Sequence, residues 1–257
     1  MNASSTHPPD PLAQHERQQR LARVTGLLYL LLAALGMFAA TVLQNVVAVG
    51  DAAATAHNIT SARWLFGSSL VGWIAIVVVD VALAVAFYVL LEPVSRGLSL
   101  AAAAFRVLYA AVLGAIVLNL FDAYLLLTSV QRGAGLDALQ VRAMALSALD
   151  TFSTGFLMAL VFFGVHLVLL GILLVRSSYV PRVLAILVVA AGVGYMSDSL
   201  IKIFVAEYDG LIRALFLAPA LVGELGLTGW LLVKGLNLRQ QPAERSGLSM
   251  SMPAVRN

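Results

Sequence analysis

Six long apolar stretches fill most of the chain, and five of them carry at least one ionisable residue inside otherwise hydrocarbon-like sequence. Each stretch is long enough, as a helix, to cross a hydrocarbon core about 30 Å thick. A charge inside such a core is expensive, so it is normally paired, hydrated or functional. The fold expected is therefore all-α: a polytopic integral membrane protein built as a bundle of six transmembrane helices. Composition agrees, with 61% hydrophobic and 11% charged residues among 257 and a mean hydropathy of +0.93. A soluble domain needs more polar surface than this.

The apolar segments run over 24–47, 65–91, 98–128, 144–175, 182–205 and 211–235. They define one transmembrane domain, 24–236, between two polar tails, 1–23 and 237–257. The N-terminal tail, with Pro8, Pro9 and Pro11, reads as disordered. The first apolar segment is too long for the core of a signal peptide and reads as a true span. Lys and Arg are split ten to five between the two sets of loops and tails. That bias predicts both termini inside, N-in/C-in, in the cell (cytoplasmic) membrane.

Pro93 and Pro181 each stop a helix at a short basic turn. Between the first two spans, residues 50–61 predict a short interfacial helix capped by Asp51. Asn58-Ile59-Thr60 matches a glycosylation sequon, a weak signal. Trp64 is placed as an interfacial anchor. The net charge of +3 arises from topology signals, so no nucleic-acid partner is expected. The lipid bilayer is the expected surrounding, with a small molecule or ion as a possible ligand. Oligomeric state is not legible.

Depth selects the residues that can meet. Rising about 1.5 Å per residue from the inner boundary, Arg106 lies roughly 12 Å up, His166 and Glu224 roughly 15 Å, and Asp80 about 18 Å. Asp80, Arg106, His166 and Glu224 are thus candidates for one ligand- or proton-binding layer. Asn119, Asp122, Asp150, Asp198 and Lys202 form a second, outer layer. At about 100° per residue, Asp150 and His166 project some 160° apart, as do Arg106 and Asp122. Neither pair can point into one cavity. Small or polar residues share the faces of the deep groups: Ser69, Trp73 and Ala84 with Asp80; Thr151, Gly155 and Ala159 with His166; Ala220 and Thr228 with Glu224; Ala191 and Gly194 with Asp198. Small faces let helices approach closely.

Each group has a structural and a functional reading. Arg106 is an ion-pair partner of Asp80 or Glu224, or a fork that recognises an anion. Asp198 and Lys202 form an i, i+4 pair, a local salt bridge; Asp122 and Asp150 are wetted outer residues. Asp80 and Glu224 are carboxylates able to carry protons, and His166 is a hydrogen-bonded structural group or a ligand. Asp80, His166 and Glu224 could supply three metal ligands, but no HExxH or paired-His pattern accompanies them. No metal site and no cofactor are expected. Zero cysteines exclude disulfides and thiolate chemistry. The chain has no Walker loop and no nucleophile elbow; Gly192 and Gly194 read as packing.

Several strings, in order and spacing, carry a likeness to a known group. They include Ala22-Arg23-Val24-Thr25-Gly26-Leu27-Leu28-Tyr29, Tyr88-Val89-Leu90-Leu91-Glu92-Pro93-Val94, Phe162-Phe163-Gly164-Val165-His166-Leu167, Gly192-Val193-Gly194-Tyr195-Met196-Ser197-Asp198-Ser199 and Pro219-Ala220-Leu221-Val222-Gly223-Glu224-Leu225. On these the chain resembles the bacterial multi-span membrane proteins of the domain of unknown function 4386 family, from about Arg23 to Gly235. Ala185 departs from the pattern, which has Gly there. The resemblance implies an integral membrane protein and transfers no substrate or catalytic residue. Three functions stay open: a small-solute or proton-linked carrier, a non-catalytic sensor, lipid-binding or scaffold protein, and a metal-dependent intramembrane enzyme.

Overall fold

The computed structural model describes residues 11–129, 135–205 and 210–236. Among them are seven helices: α1 Pro11–Val46, α2 Ala52–Ser61, α3 Arg63–Leu91, α4 Arg96–Thr128, α5 Ala138–Ser177, α6 Arg182–Phe204 and α7 Gly210–Val233. All except α2 are long and apolar enough to cross a membrane. They pack as a closed ring in the order α1, α3, α4, α5, α6, α7, with α7 returning against α1.

The ring's outer wall explains its solvent. On α3, Val71, Val78 and Val85, spaced by seven, are 65%, 64% and 58% exposed, while Leu70, Trp73 and Leu83 of the same helix are buried. A helix that is apolar on both its inner and outer faces suits lipid outside and packed side chains inside.

Local chemistry sets the element ends. Asp51 accepts from the Ala54 amide at 2.8 Å and caps α2, and α2 is tied to the end of α1 through Thr55 Oγ1 and the Ala48 amide at 2.9 Å. The Asn58 amide donates to the Val46 carbonyl at 3.3 Å, so the sequon asparagine serves this junction. Asp137 and Gln140 form a reciprocal capping box on α5. Pro181 is the N-cap of α6.

The expected tail over 1–23 needs correction. Residues 11–23 continue α1 as helix. Their charges looked like tail sequence, but Ala22 and Thr25 are buried, and Gln19 makes two bonds to Leu236, donating to its carbonyl at 2.7 Å and accepting from its amide at 3.0 Å. Gly235, at φ 65°, turns the chain so that Leu236 can reach Gln19. The two ends of the described chain therefore meet at one end of the bundle. Residues 1–10 and 237–257 lie outside the described residues.

Glycine sets the closest helix approaches. A Cβ on Gly164 of α5 would sit 2.6 Å from the Gly192 carbonyl oxygen of α6, and one on Gly192 would sit 2.5 Å from the Gly164 oxygen. Gly194 meets the Phe216 carbonyl of α7 in the same way. Ala185 of α6 is fully buried, and a Cβ on Gly171 of α5 would sit 3.0 Å from its carbonyl oxygen.

Candidate functional site

Arg106 is the hub of the interior. Its Nη2 donates to Asp80 Oδ1 of α3 at 2.7 Å, and its Nη1 lies 3.0 Å from His166 Nε2 of α5. A guanidinium only donates, so Nε2 accepts and the imidazole proton sits on Nδ1. Nδ1 in turn donates to the Ala102 carbonyl at 2.8 Å. This arrangement makes His166 a neutral ring locked in one tautomer. Asp80, Arg106 and His166 are each 0% exposed. The triad therefore ties α3, α4 and α5 together in a sealed layer. Asp80 Oδ2 and Arg106 Nε have no hydrogen-bond partner among the described residues.

Aromatic faces surround the guanidinium. The ring centroids of Tyr29 and Phe163 lie 5.4 Å from Arg106 Cζ, and that of Phe87 lies 5.9 Å away. Such cation–π contacts are worth roughly 0.5–1 kcal/mol when exposed and about 2 kcal/mol or more when desolvated.

Glu224 stands on the next wall of the ring and does not touch Arg106 directly. The Tyr29 hydroxyl donates to its Oε2 at 2.7 Å, and the Tyr195 hydroxyl donates to its Oε1 at 2.9 Å. Tyr29 thus joins the two centres, with its ring on the guanidinium and its hydroxyl on the carboxylate. Unlike the triad, Glu224 is only partly buried. It lines a cavity of about 470 Å³ together with Tyr109, Phe163 and Tyr195. The cavity rim includes Ala33 on α1 and Leu221 and Leu225 on α7, all exposed. Toward the termini the two helices close, Gly26 lying against Leu231 and Leu232. The cavity occupies the gap further along.

Of the depth-selected residues, Asp80, Arg106 and His166 are in direct contact, and Glu224 is linked to them through Tyr29. Arg106 pairs with Asp80, one of its two expected partners. The outer set is not gathered into this centre. Asp122 and Asp150 are exposed, and the Asn119 amide bonds to the Ile116 carbonyl of its own helix at 3.0 Å. Asp198 is buried on α6, and Lys202 borders a separate hollow beside Gln44 and Trp73. Thr151 faces outward rather than sharing the interior face of His166.

No metal-binding group of three His, Asp or Glu occurs among the described residues. The space between Asp80 and His166 is filled by the guanidinium. Tyr29, Tyr109 and Tyr195 carry no charge, and in an apolar helix a tyrosine reads in the sequence like any core aromatic. The usable signal was that a buried Tyr hydroxyl needs a polar partner.

Fold and interior together define a polytopic membrane bundle with a sealed Asp–Arg–His core and a carboxylate-bearing cavity beside it. The chain belongs to the family described as Domain of unknown function (DUF4386), whose model matches residues 24–235. An uncharacterised protein of Archaeoglobus fulgidus is 31% identical over 172 residues, covering 67% of this chain and 86% of the relative. The likeness thus reaches an archaeal protein. No solved structure matches.

Proposed function

We propose that this protein is a membrane-embedded carrier for a small solute, with the α1/α7 cavity as its binding site and Glu224 as the polar contact. The single observation behind this reading is a partly buried carboxylate, clamped by two tyrosines, on the wall of a largely apolar cavity of about 470 Å³. Small-molecule sites typically have this form: a concave apolar pocket of roughly 300–1,000 Å³ with few convergent polar groups. The Asp80–Arg106–His166 triad supports the site from behind and holds Tyr29 in place through its ring. We further propose that both termini face the cytoplasm of the cell membrane, on the ten-to-five bias of Lys and Arg.

The test is uptake into proteoliposomes of a panel of small solutes, each with an apolar body and one polar group. Wild type is expected to accumulate at least one member, with uptake lost in Glu224→Gln and weakened in Asp80→Asn. Unchanged uptake in both variants would refute the assignment.

The full burial of the triad favours a second reading, a non-catalytic sensor or scaffold whose charged core is structural. On that reading the same substitutions lower stability in detergent, and no panel solute is transported.

A further inference from the structure

We propose that the solute is a small amphipathic cation, a protonated amine on an apolar body, which displaces one proton from the Glu224 carboxylate. This rests on the carrier reading and adds the charge of the cargo.

The inference follows from counting charge around the cavity. On the cavity wall stand Tyr29 of α1, Tyr109 of α4, Tyr195 of α6, and Thr228 and Glu224 of α7; behind it, sealed from the cavity, stand Asp80 of α3, Arg106 of α4 and His166 of α5. His166 is neutral by its hydrogen bonds, and the tyrosines contribute hydroxyls. Two carboxylates therefore face one guanidinium, which Asp80 already engages at 2.7 Å. Glu224 has two hydroxyl donors and, among the described residues, no salt-bridge partner. An ionised carboxylate without a counter-charge is unfavourable at this depth in a bilayer. Two species restore neutrality: a proton on Glu224, or a cation arriving from the cavity.

The rest of the wall suits the second species. Leu32, Leu160, Leu217 and Phe156 offer apolar surface for a hydrocarbon body. Tyr109, Phe163 and Tyr195 place aromatic rings beside Glu224, with Phe163 and Tyr195 edge to face at 5.6 Å, and aromatic faces attract ammonium groups. An anionic solute would meet the carboxylate while the guanidinium lies behind Tyr29 and is already paired. A neutral solute would leave the balance between proton and carboxylate untouched. In the exchange the ammonium ion enters, the Glu224 O–H bond breaks, and the proton passes to water. The site begins and ends neutral.

The full-length protein in uncharged dodecylmaltoside micelles is titrated calorimetrically with phenylethylammonium, phenylethanol and phenylacetate. Repeating the titration in buffers of different ionisation enthalpy counts the protons released. The ammonium ion is expected to bind with release of one proton, its apparent affinity falling about tenfold per pH unit on the acid side. Glu224→Gln is expected to abolish both binding and release while keeping wild-type elution and melting. The proton count and pH slope of wild type carry the test even if that variant misfolds. Phenylethanol binding as tightly, with no proton released, overturns the cation assignment and leaves the carrier reading standing. Ammonium binding that survives Glu224→Gln overturns the role of Glu224, and binding by none of the three probes overturns both readings.

Discussion

Removing Asp80 takes from Arg106 the one carboxylate in direct contact with it among the described residues. Arg106 is 0% exposed and donates to Asp80 at 2.7 Å; its other polar and ring contacts among the described residues are His166 Nε2 and three aromatic faces. None of those supplies negative charge. Breaking a buried pair from one side costs about 3–5 kcal/mol, whereas replacing both partners by apolar side chains is often close to neutral. Asp80→Leu is therefore expected to destabilise the bundle by about 3–5 kcal/mol. The double variant Asp80→Leu/Arg106→Met is expected to lose less than either single one, a coupling of at least about 2 kcal/mol. Asp80→Asn keeps an oxygen for Nη2 but still leaves the buried guanidinium without its counter-charge, so its loss falls in the same range, about 3–5 kcal/mol. Reversible unfolding in mixed micelles titrated with dodecyl sulfate, followed by far-UV circular dichroism, measures all four forms. Single losses that simply sum to the double would show that the two side chains act independently, and the proposed electrostatic knot would be wrong.

Tyr29→Phe keeps the ring on Arg106 but removes a donor from Glu224, and should lower unfolding free energy by about 1–2 kcal/mol in the same titration; Tyr29→Leu, which also removes the ring, should lower it further. Gly164→Ala drives a methyl into the Gly192 carbonyl at the α5–α6 crossing and should destabilise by about 1–3 kcal/mol. Gly36→Ala, where a Cβ meets nothing within 4 Å, should be neutral or stabilising by up to about 1 kcal/mol; thermal melting in detergent compares the two. Gln19→Leu leaves the Leu236 amide and carbonyl without their partner, and hydrogen exchange at that amide should accelerate.

Most of the architecture could be read from apolar run length, since the six spans and the Asp51-capped α2 depend on local sequence alone. Depth and helical phase reached part of the interior. His166 is buried and Asp150 exposed on one helix, and Arg106 is buried and Asp122 exposed on another, as 160° separations require. What escaped was the choice of partner. Depth places Glu224 level with Arg106, yet the ring order sets α7 beside α1 and α6, so its carboxylate meets tyrosine hydroxyls instead. The beginning of α1 escaped for a related reason. Residues 15–23 are charged enough to pass for tail, and it takes the burial of Ala22 and the long-range contact of Gln19 with Leu236 to show that they pack.

The ring closes on its first and last members. During synthesis α3, α4 and α5 leave the ribosome before α7, so Asp80, Arg106 and His166 can lock together while the chain is still growing. Glu224 emerges last and must find Tyr29, which has waited on the opposite flank since the start of translation. A chain halted after α6 would hold its arginine paired and lack the wall that carries Glu224.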